Sequence, residues 1–293
     1  MAWPKRRKKQ RMTFLSKPLL EKRLGNNPAA FISYLKSEVV GIGTGLERFD
    51  ACTRGLRGLV FFVGEPKSHK STLVMQIAVH NAVQGNPVYV LDRELGLSIF
   101  QERVLCHLTE RPLSAIKELS PEKLGAMLDH MRENYPFHFD SAIPSFESLA
   151  EDIDKLMQAY PGKPVTLVVD SLQALPRVKG DVRASVDDWL LKLDQLKLTY
   201  DNRLAILLTS EKGRAHYGQA VKGGAKESGK IEYAGSYVFD MRLNDDTESI
   251  IITCLYNRHG PSNFKVELDR IYKQAGDPWS FIFKLKEREG LGL

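Results

Sequence analysis

The chain has 293 residues, of which 43% are hydrophobic and 27% are charged, which is typical of a globular protein that buries one large core. No apolar run reaches the roughly 18 to 20 residues needed to span a bilayer, and the basic N-terminal segment lacks the apolar stretch of a secretory signal. The sequence therefore predicts a cytoplasmic protein. Its three cysteines, Cys52, Cys106 and Cys254, are too widely spaced to suggest a disulfide framework or a zinc site.

Positive charge is concentrated at the N-terminus. Residues 1–23 contain nine Lys or Arg and one acidic residue, so this segment carries +8 and the rest of the chain carries −2 of the total of +6. Such an arm is typical either of sequence-independent contact with nucleic-acid phosphates or of a solvated tail, and both interpretations stay open. A short helix is predicted at 29–35. We expect residues 1–38 to form this arm and a linker helix, and residues 39–293 to form one domain.

Strands alternate with helices through the first 210 residues. Short apolar runs predict strands at 59–63, 88–91, 137–139 and 165–169, and helices are predicted near 71–83, 97–108, 121–133 and 146–159. Farther along, a helix is predicted to begin at a Ser185 cap, and strands are predicted at 204–209, 237–243, 250–255 and 264–268. This alternation predicts an α/β fold, a mainly parallel twisted sheet with helices on both faces. The helix-poor C-terminal end predicts an antiparallel extension of that sheet.

The sequence GEPKSHKS at residues 64–71 fits the phosphate-binding pattern G-x-x-x-x-G-K-[ST] except at His69, where a glycine is expected. It follows a predicted strand and precedes a predicted helix, which is the context that such a loop needs. The residues predicted to bind a nucleotide here are Gly64, Ser68, His69, Lys70, Ser71 and Thr72. Lys70 is expected to reach the β- and γ-phosphates and Ser71 to hold Mg²⁺. A side chain at His69 is expected to affect how closely the backbone approaches the phosphates.

Two carboxylates follow other predicted strands. Asp170 ends the apolar run VTLVVD, which predicts a ligand for the Mg²⁺ shell of Ser71. Glu94 comes just after the strand at 88–91, at the same edge of a parallel sheet, where a carboxylate can orient or deprotonate the water that attacks the γ-phosphate. A solvated residue at the start of a helix is the alternative interpretation of Glu94.

The order of these features resembles the motor domain of DnaB-type replicative DNA helicases, in the RecA-like superfamily of P-loop ATPases. The resemblance runs from about residue 41 to 283 and rests on the segments GIGTGLERFD, LDRELGLSIFQERVL, VVDSLQAL, KESGKIEYAGSYVFDMR and LYNRHGP. KESGKIEYAGSYVFDMR, residues 226–242, is the most specific of them. In place of the family's N-terminal helical domain, we expect only the basic arm and the helix at 29–35.

The resemblance implies roles for individual residues. It puts Glu94 on the catalytic glutamate and Arg258 on an arginine finger that reaches a neighbouring subunit's ATP. Lys70, which the phosphate-loop pattern indicates, is the third residue predicted to be catalytic. Two further nucleotide-facing positions depart from the family: Glu211 stands where a glutamine is expected and Tyr256 where a lysine is expected. Together with His69, these changes predict hydrolysis that is slow, unusually regulated or absent.

The resemblance also implies a homo-hexameric ring that uses ATP and Mg²⁺ and moves along single-stranded DNA during DNA replication. Cations in loops expected to face the ring centre are the DNA-binding candidates: Arg177, Lys179, Arg183, Lys222, Lys226 and Lys230. Such cations neutralise phosphates without reading bases, and ordinary solvated loop charges are the alternative interpretation.

Two other functions remain open from the sequence. One is a scaffold or loader that binds nucleotide and DNA with weak or no ATP hydrolysis, which His69, Glu211 and Tyr256 favour. The other is a recombinase-like ATPase of the RecA superfamily, against which the segment at 226–242 argues.

Overall fold

The computed structural model describes residues 27–142, 145–176, 182–218 and 231–289. The chain divides into two compact units, residues 1–38 and 39–293. Within the first unit, helix α1 (Pro28–Lys36) carries the exposed apolar residues Phe31, Ile32 and Leu35. Across the described ranges, no helix is both long enough and apolar enough to cross a bilayer.

A nine-stranded sheet forms the centre of the second unit. Its strands are β1 (Gly58–Gly64), β2 (Val88–Asp92), β3 (Phe137–Asp140), β4 (Val165–Asp170), β5 (Leu204–Glu211), β6 (Tyr237–Asn244), β7 (Ser249–Asn257), β8 (Lys265–Tyr272) and β9 (Phe281–Glu287). Their spatial order is β3-β2-β4-β5-β1-β6-β7-β8-β9. The first six run parallel and the last three are antiparallel, which confirms the mainly parallel sheet with an antiparallel extension.

Helices cover this sheet. They are α2 (Glu47–Thr53), α3 (Lys70–Val83), α4 (Leu97–Thr109), α5 (Leu113–Lys117), α6 (Pro121–Asn134), α7 (Phe146–Ala159), α8 (Val182–Tyr200) and α9 (Ile231–Ala234). The Ser120 and Ser145 hydroxyls accept hydrogen bonds from backbone amides in the first turns of α6 and α7, so each serine acts as an N-cap. These caps fix where the two helices begin.

The central strand β1 is buried throughout and divides the core between the two faces of the sheet. Val60 and Phe62 pack with the apolar residues of α3 on one face, whereas Leu59, Phe61 and Val63 pack with α7 and α8 on the other. Alternating side chains of a strand point to opposite faces. A continuous apolar run is therefore what a parallel strand covered on both sides requires.

Some of the predicted elements differ from the structure. The predicted Ser185 cap is wrong, because α8 begins at Val182 and Ser185 lies buried within it. The first C-terminal strand, β6, pairs with β1 in parallel, so the antiparallel part starts one strand later, at β7. Strand β9 and the short helices α2, α5 and α9 had no sequence prediction, because each is too short or too mixed in polarity to show a clear period.

Candidate functional site

The loop between β1 and α3 turns tightly enough to require a glycine at its first position. A Cβ atom on Gly64 would lie 2.4 Å from the Ser68 hydroxyl oxygen and 2.6 Å from the Met241 carbonyl oxygen. Both distances are far below ordinary contact, so a larger residue would push the loop away from β6. Helix α3 then begins at Lys70, and its N-terminal amides lie at the same edge of the sheet.

His69 takes the backbone conformation of the glycine that it replaces. Its φ is 62° and its ψ is 25°, in the left-handed region, which costs a residue with a side chain about 1–2 kcal/mol. The imidazole meets the Phe281 ring edge to face, with centroids 5.7 Å apart. Burial, followed by the charges of Arg270 and Arg103, lowers the pKa of His69 to about 4, so the ring is neutral near pH 7. The loop therefore keeps its path, with an uncharged side chain turned to β9.

Lys70 lies inside the loop. Its ammonium donates hydrogen bonds to the carbonyl oxygens of Glu65 at 2.8 Å and Gly64 at 3.1 Å, and Ser68 Oγ is 3.5 Å away. Burial lowers the pKa of Lys70, and the nearby negative charges oppose that shift, with Asp170 the strongest and Glu211 next. A partly desolvated ammonium in an acidic surrounding is well suited to bind an anion that brings more negative charge.

Ser71 and Asp170 are joined at the centre of the site. The Asp170 carboxylate is hydrogen-bonded to the Ser71 hydroxyl, and it accepts a second hydrogen bond from Thr209 Oγ1 at 2.5 Å. Burial raises the pKa of Asp170, while these two hydrogen bonds act in the opposite direction. Thr72, the next residue of α3, is buried.

These two residues fit a magnesium ion. A hydroxyl and a carboxylate are the oxygen ligands that Mg²⁺ prefers, and proteins commonly bind it through one or two side chains together with phosphate oxygens. Among the described residues, no three His, Cys, Asp or Glu side chains cluster as a metal site of their own. A metal at Ser71 and Asp170 would therefore take its remaining ligands from water and phosphate.

Glu94 is exposed after β2 and is held at two points. Its carboxylate accepts a hydrogen bond from Ser171 Oγ at 2.5 Å. Its backbone amide donates to Asp92 Oδ1 at 2.8 Å, and the amide of Leu95 donates to the same oxygen at 2.9 Å. Because β2 and β4 are neighbours, with Asp92 paired to Asp170, these contacts keep Glu94 beside the phosphate loop.

One cavity of about 600 Å³ brings most of these residues together. Its lining includes the predicted residues His69, Lys70, Ser71, Thr72, Glu94, Asp170 and Glu211. Gly64 and Ser68 belong to the loop but do not line the cavity, and both contact Lys70. Glu211 ends β5 opposite Gly64, and its amide donates to Gln173 Oε1 at 3.4 Å.

Sequence reasoning missed a second wall of the cavity. It consists of Arg103, Arg270, Phe281 and Phe283. The Arg103 guanidinium lies 5.0 Å above the Phe283 ring, and its charge lies close to Asp170. Arg103 lies in helix α4, which begins after Glu94, and no spacing in the sequence indicates that it faces the cavity. No local pattern brings β9 to this place.

Strand β9 is fastened against the helices that flank the loop. Gln76 of α3 exchanges two hydrogen bonds with the backbone of Leu285, at 2.8 and 3.0 Å. His107 of α4 lies 3.2 Å from the Phe283 carbonyl oxygen through Nδ1. The antiparallel extension therefore wraps around α3 and closes one side of the cavity.

Tyr256 and Arg258 lie at the opposite edge of the sheet. Gly64 pairs with Met241 near the far end of β6, whereas Asn257 pairs with Tyr237 at its start. Arg258 is exposed, lies over the Tyr256 ring at 5.8 Å, and donates to the Tyr233 carbonyl oxygen. Neither residue reaches the cavity of its own chain.

The DNA-binding candidates are mostly beyond what the structure describes. Arg183 lies exposed in the first turn of α8. The other five, Arg177, Lys179, Lys222, Lys226 and Lys230, lie outside the described residues.

Three solved structures share this fold. One is an ATPase domain with a TM-score of 0.75 and 17% identity, over 89% of this chain and 95% of its own. A DnaB-like replicative helicase, whose interactions with primase were also described, has a TM-score of 0.73 and 16% identity, over 90% of this chain and 66% of its own. A KaiC-like protein from the hyperthermophilic archaeon Pyrococcus horikoshii has a TM-score of 0.57 and 15% identity, over 85% of this chain and 99% of its own.

No protein-family model matches the sequence, and a search of curated proteins found no match either. The structural likeness therefore confirms the predicted resemblance at the level of the fold. The fold is that of RecA-like P-loop ATPases.

Proposed function

We propose that this protein is an ATP-dependent, ring-forming motor of the DnaB helicase type that binds single-stranded DNA and moves along it. The observation that carries the proposal is the convergence of Lys70, Ser71, Asp170 and Glu94 on one cavity at the carboxyl edge of parallel strands. Ligand sites of open α/β sheets lie at this edge. A cation, a metal-binding pair and a carboxylate that can accept a proton are the groups that phosphoryl transfer to water needs.

Each of these residues has a defined part in the proposed reaction. Lys70 binds the β- and γ-phosphates, and Arg103 adds a second positive charge on the other side of the cavity. Ser71 and Asp170 hold Mg²⁺, which neutralises the charge of the phosphates when it is bound. The carboxylate of Glu94, held by Ser171, orients the attacking water and takes its proton as the water oxygen bonds to the γ-phosphorus. The bond between the γ-phosphorus and the oxygen that bridges it to the β-phosphate breaks in the same step, so that ADP and phosphate are the products.

The arginine finger completes the site from a second copy of the chain. Arg258 lies at the edge opposite the phosphate loop, so it cannot reach the nucleotide of its own subunit. Its exposure, and its position over the Tyr256 ring, suit a cation presented to a neighbour. A ring with a nucleotide site at each subunit interface is the assembly in which this arrangement works, and α1 supplies an apolar face that suits packing between subunits.

Single-stranded DNA is the proposed track. The basic segment at 1–23 and the cations Arg177, Lys179, Arg183, Lys222, Lys226 and Lys230 are proposed to neutralise its phosphates. Contacts of this kind depend strongly on salt and weakly on base sequence. They suit a motor that moves along any strand.

A scaffold with weak hydrolysis is the second candidate, and Glu211 favours it. Its carboxylate lies close enough to Lys70 to affect the pKa of that lysine, and it lines the cavity. A negative charge at this point repels the γ-phosphate, whereas the glutamine expected there is neutral. The motor therefore hydrolyses ATP only if binding of DNA or of the neighbour offsets this repulsion.

Steady-state ATPase with and without single-stranded DNA separates the two candidates. The motor predicts Mg²⁺-dependent hydrolysis that DNA stimulates, and loss of both nucleotide binding and hydrolysis in Lys70→Ala. Lys123→Ala, which removes an exposed lysine of α6, is the matched control and should behave as the wild type. Binding of nucleotide and DNA without hydrolysis of ATP would contradict the motor and support the scaffold. Unchanged nucleotide affinity in a folded Lys70→Ala protein would contradict both the motor and the scaffold.

A further inference from the structure

A closed series of polar contacts surrounds the start of the phosphate loop, and we call it the loop ring. Its members are Gly64, Glu65, Lys212, Gly218, Asp240 and Arg242. On its inner side, the Lys212 amide donates to the Gly64 carbonyl oxygen at 3.1 Å. The Lys212 ammonium forms an ion pair with Asp240, and both side chains are fully buried. None of these contacts takes part in the proposed hydrolysis.

The outer side of the loop ring returns to the phosphate loop through a single residue, Gly218. Arg242 Nε lies 3.4 Å from Asp240 Oδ2, and Arg242 Nη1 donates to the Gly218 carbonyl oxygen at 3.0 Å. The Gly218 amide donates to Glu65 Oε1 at 2.6 Å, which closes the ring. The phosphate loop therefore holds Gly218 through the side chain of its second residue, Glu65.

Lys70 touches the loop ring at both of its phosphate-loop members. Its ammonium donates to the carbonyl oxygens of Gly64 and Glu65. A phosphate oxygen that accepts from this ammonium competes with those two carbonyl oxygens for the same protons. Binding of a phosphate at Lys70 therefore directly changes the hydrogen bonding of the Glu65 backbone.

The contacts on the two sides of the loop ring differ in how much free energy is needed to break them. Separating Lys212 from Asp240 would leave two uncompensated charges in the interior, which is costly. Burial raises the pKa of Asp240, and the contact with Lys212 opposes that shift, so the pair depends on staying together. The hydrogen bond between Glu65 and Gly218 is exposed to water, which can replace it. The exposed bond is the contact that opens first.

We propose that Glu65 is a positioning residue that makes the hold on Gly218 depend on what Lys70 binds. Nucleotide phosphates that draw the Lys70 ammonium away from Glu65 loosen the bond between Glu65 and Gly218, while the buried side of the loop ring stays fixed. This inference rests on the proposed nucleotide site. It gives that site a route to the backbone of Gly218.

Hydrogen–deuterium exchange of a peptide spanning residues 212–218 tests this route in the full chain. For the wild type, we expect AMP-PNP with Mg²⁺ to speed exchange at Gly218 about tenfold, the protection that one charge-assisted hydrogen bond gives. Glu65→Ala should exchange this amide about tenfold faster without any nucleotide, and nucleotide should change it little. Glu65→Gln keeps a side-chain oxygen that accepts from Gly218 and should restore most of the protection. Glu151→Ala, at an exposed glutamate of α7, should match the wild type.

The outcomes separate this inference from the proposed function. Wild-type protein that binds AMP-PNP, measured by calorimetry, without any change at Gly218 would overturn the inference and leave the nucleotide site intact. A wild-type response that persists in Glu65→Ala would also overturn it. Wild-type protein that binds no nucleotide would overturn the proposed function. In that case slow exchange in Glu65→Ala would still reject the contact itself, since that measurement needs no nucleotide.

Discussion

The two edges of the sheet carry different parts of the proposed chemistry. At the carboxyl edge of the parallel strands, Lys70, Asp170 and Glu94 meet in one cavity, each fixed by hydrogen bonds of its own. At the other edge, Arg258 stands exposed beside Tyr256. One chain thus offers a nearly complete binding site and a separate cation that cannot serve it. In the proposed motor, binding therefore belongs to the single chain and turnover to a pair of chains.

Removal of the arginine tests this separation with the largest expected effect. Arg258→Ala should bind nucleotide almost as the wild type does but lose about 10³- to 10⁵-fold in hydrolysis, because a finger supplied in trans stabilises charge on the transferring phosphoryl group. Titration of a fluorescent nucleotide and steady-state ATPase measure the two quantities. If nucleotide affinity fell as much as hydrolysis did, Arg258 would instead take part in nucleotide binding, together with the residues at the carboxyl edge.

Mixing two inactive variants sharpens the same test. Lys70→Ala lacks the lysine that binds the phosphates, and Arg258→Ala lacks the arginine finger. Each variant is therefore expected to be inactive alone. In a mixed assembly, some interfaces join an intact phosphate loop on one subunit to an intact Arg258 on the next, and part of the ATPase activity should return. If the wild type hydrolyses ATP and both variants exchange subunits, failure of mixing to restore activity would reject the shared site.

Substitution of Glu94 tests the chemistry proposed at the carboxyl edge of the sheet. Glu94→Gln is nearly isosteric but cannot accept the proton, so kcat should fall about 10²- to 10⁴-fold while nucleotide affinity is kept. Ser171→Ala, which removes the hydroxyl that holds the Glu94 carboxylate at 2.5 Å, should give a smaller loss in kcat with little change in KM. Single-turnover ATPase measures both variants. Turnover near the wild-type value in Glu94→Gln would make Glu94 a surface residue without a catalytic part.

The sequence predicts the binding edge better than the walls around it. Buried runs such as β1 and β4 predict parallel strands, and the carboxyl ends of such strands meet at one edge, so Lys70 and Asp170 could be brought together from the sequence alone. The α8 start was missed because Ser185 followed by acids imitates a cap, although the helix continues through it. Local signals therefore predicted those parts of the site that lie at the carboxyl ends of buried parallel strands, although β5 separates β4 from β1 in the sheet.

Strand β9 shows where such reasoning stops. Its buried residues, Ile282 and Leu285, do not alternate, so no strand period is visible. Its position against α3 depends on Gln76, a polar residue whose partner is the backbone of a strand far away in the sequence. Phe281, Phe283 and Arg270 enter the cavity because of this packing. Contacts between distant segments of this kind leave no local pattern in the sequence.

The pH dependence of stability tests how firmly β9 closes the binding edge. Burial lowers the pKa of His107 in α4 to about 4, below the ordinary value of 6.5. Between these two values the unfolded chain binds more protons than the folded chain, so this contribution to stability is present above pH 6.5 and is lost as the pH falls toward 4. His107→Gln keeps a donor for the Phe283 carbonyl oxygen and does not titrate.

Urea unfolding of the two proteins at pH 5 and pH 7 measures this effect. The dependence of the unfolding free energy on pH should be shallower in His107→Gln by up to about 1.4 kcal/mol per pH unit, which corresponds to one proton. His130→Gln, at an exposed histidine of α6, is the matched control and should keep the wild-type dependence. Equal slopes in His107→Gln and the wild type would mean that water reaches His107 and that β9 does not seal this side.

The smallest expected effect concerns His69, where the phosphate loop meets β9. A glycine at this position removes the cost of about 1–2 kcal/mol that a side chain pays in the left-handed conformation. It also loses the contact with Phe281, which contributes about 0.5–1.5 kcal/mol. His69→Gly should therefore change the free energy of unfolding by between about −0.5 and +1.5 kcal/mol relative to the wild type. His69→Ala keeps the strain and loses the ring, so it should be less stable than His69→Gly by about 1–2 kcal/mol. Because both variants keep the path of the loop, both should bind nucleotide with nearly wild-type affinity. If alanine were as stable as glycine at this position, the left-handed conformation would be absent in solution, and the loop would have to reach the phosphates by another path.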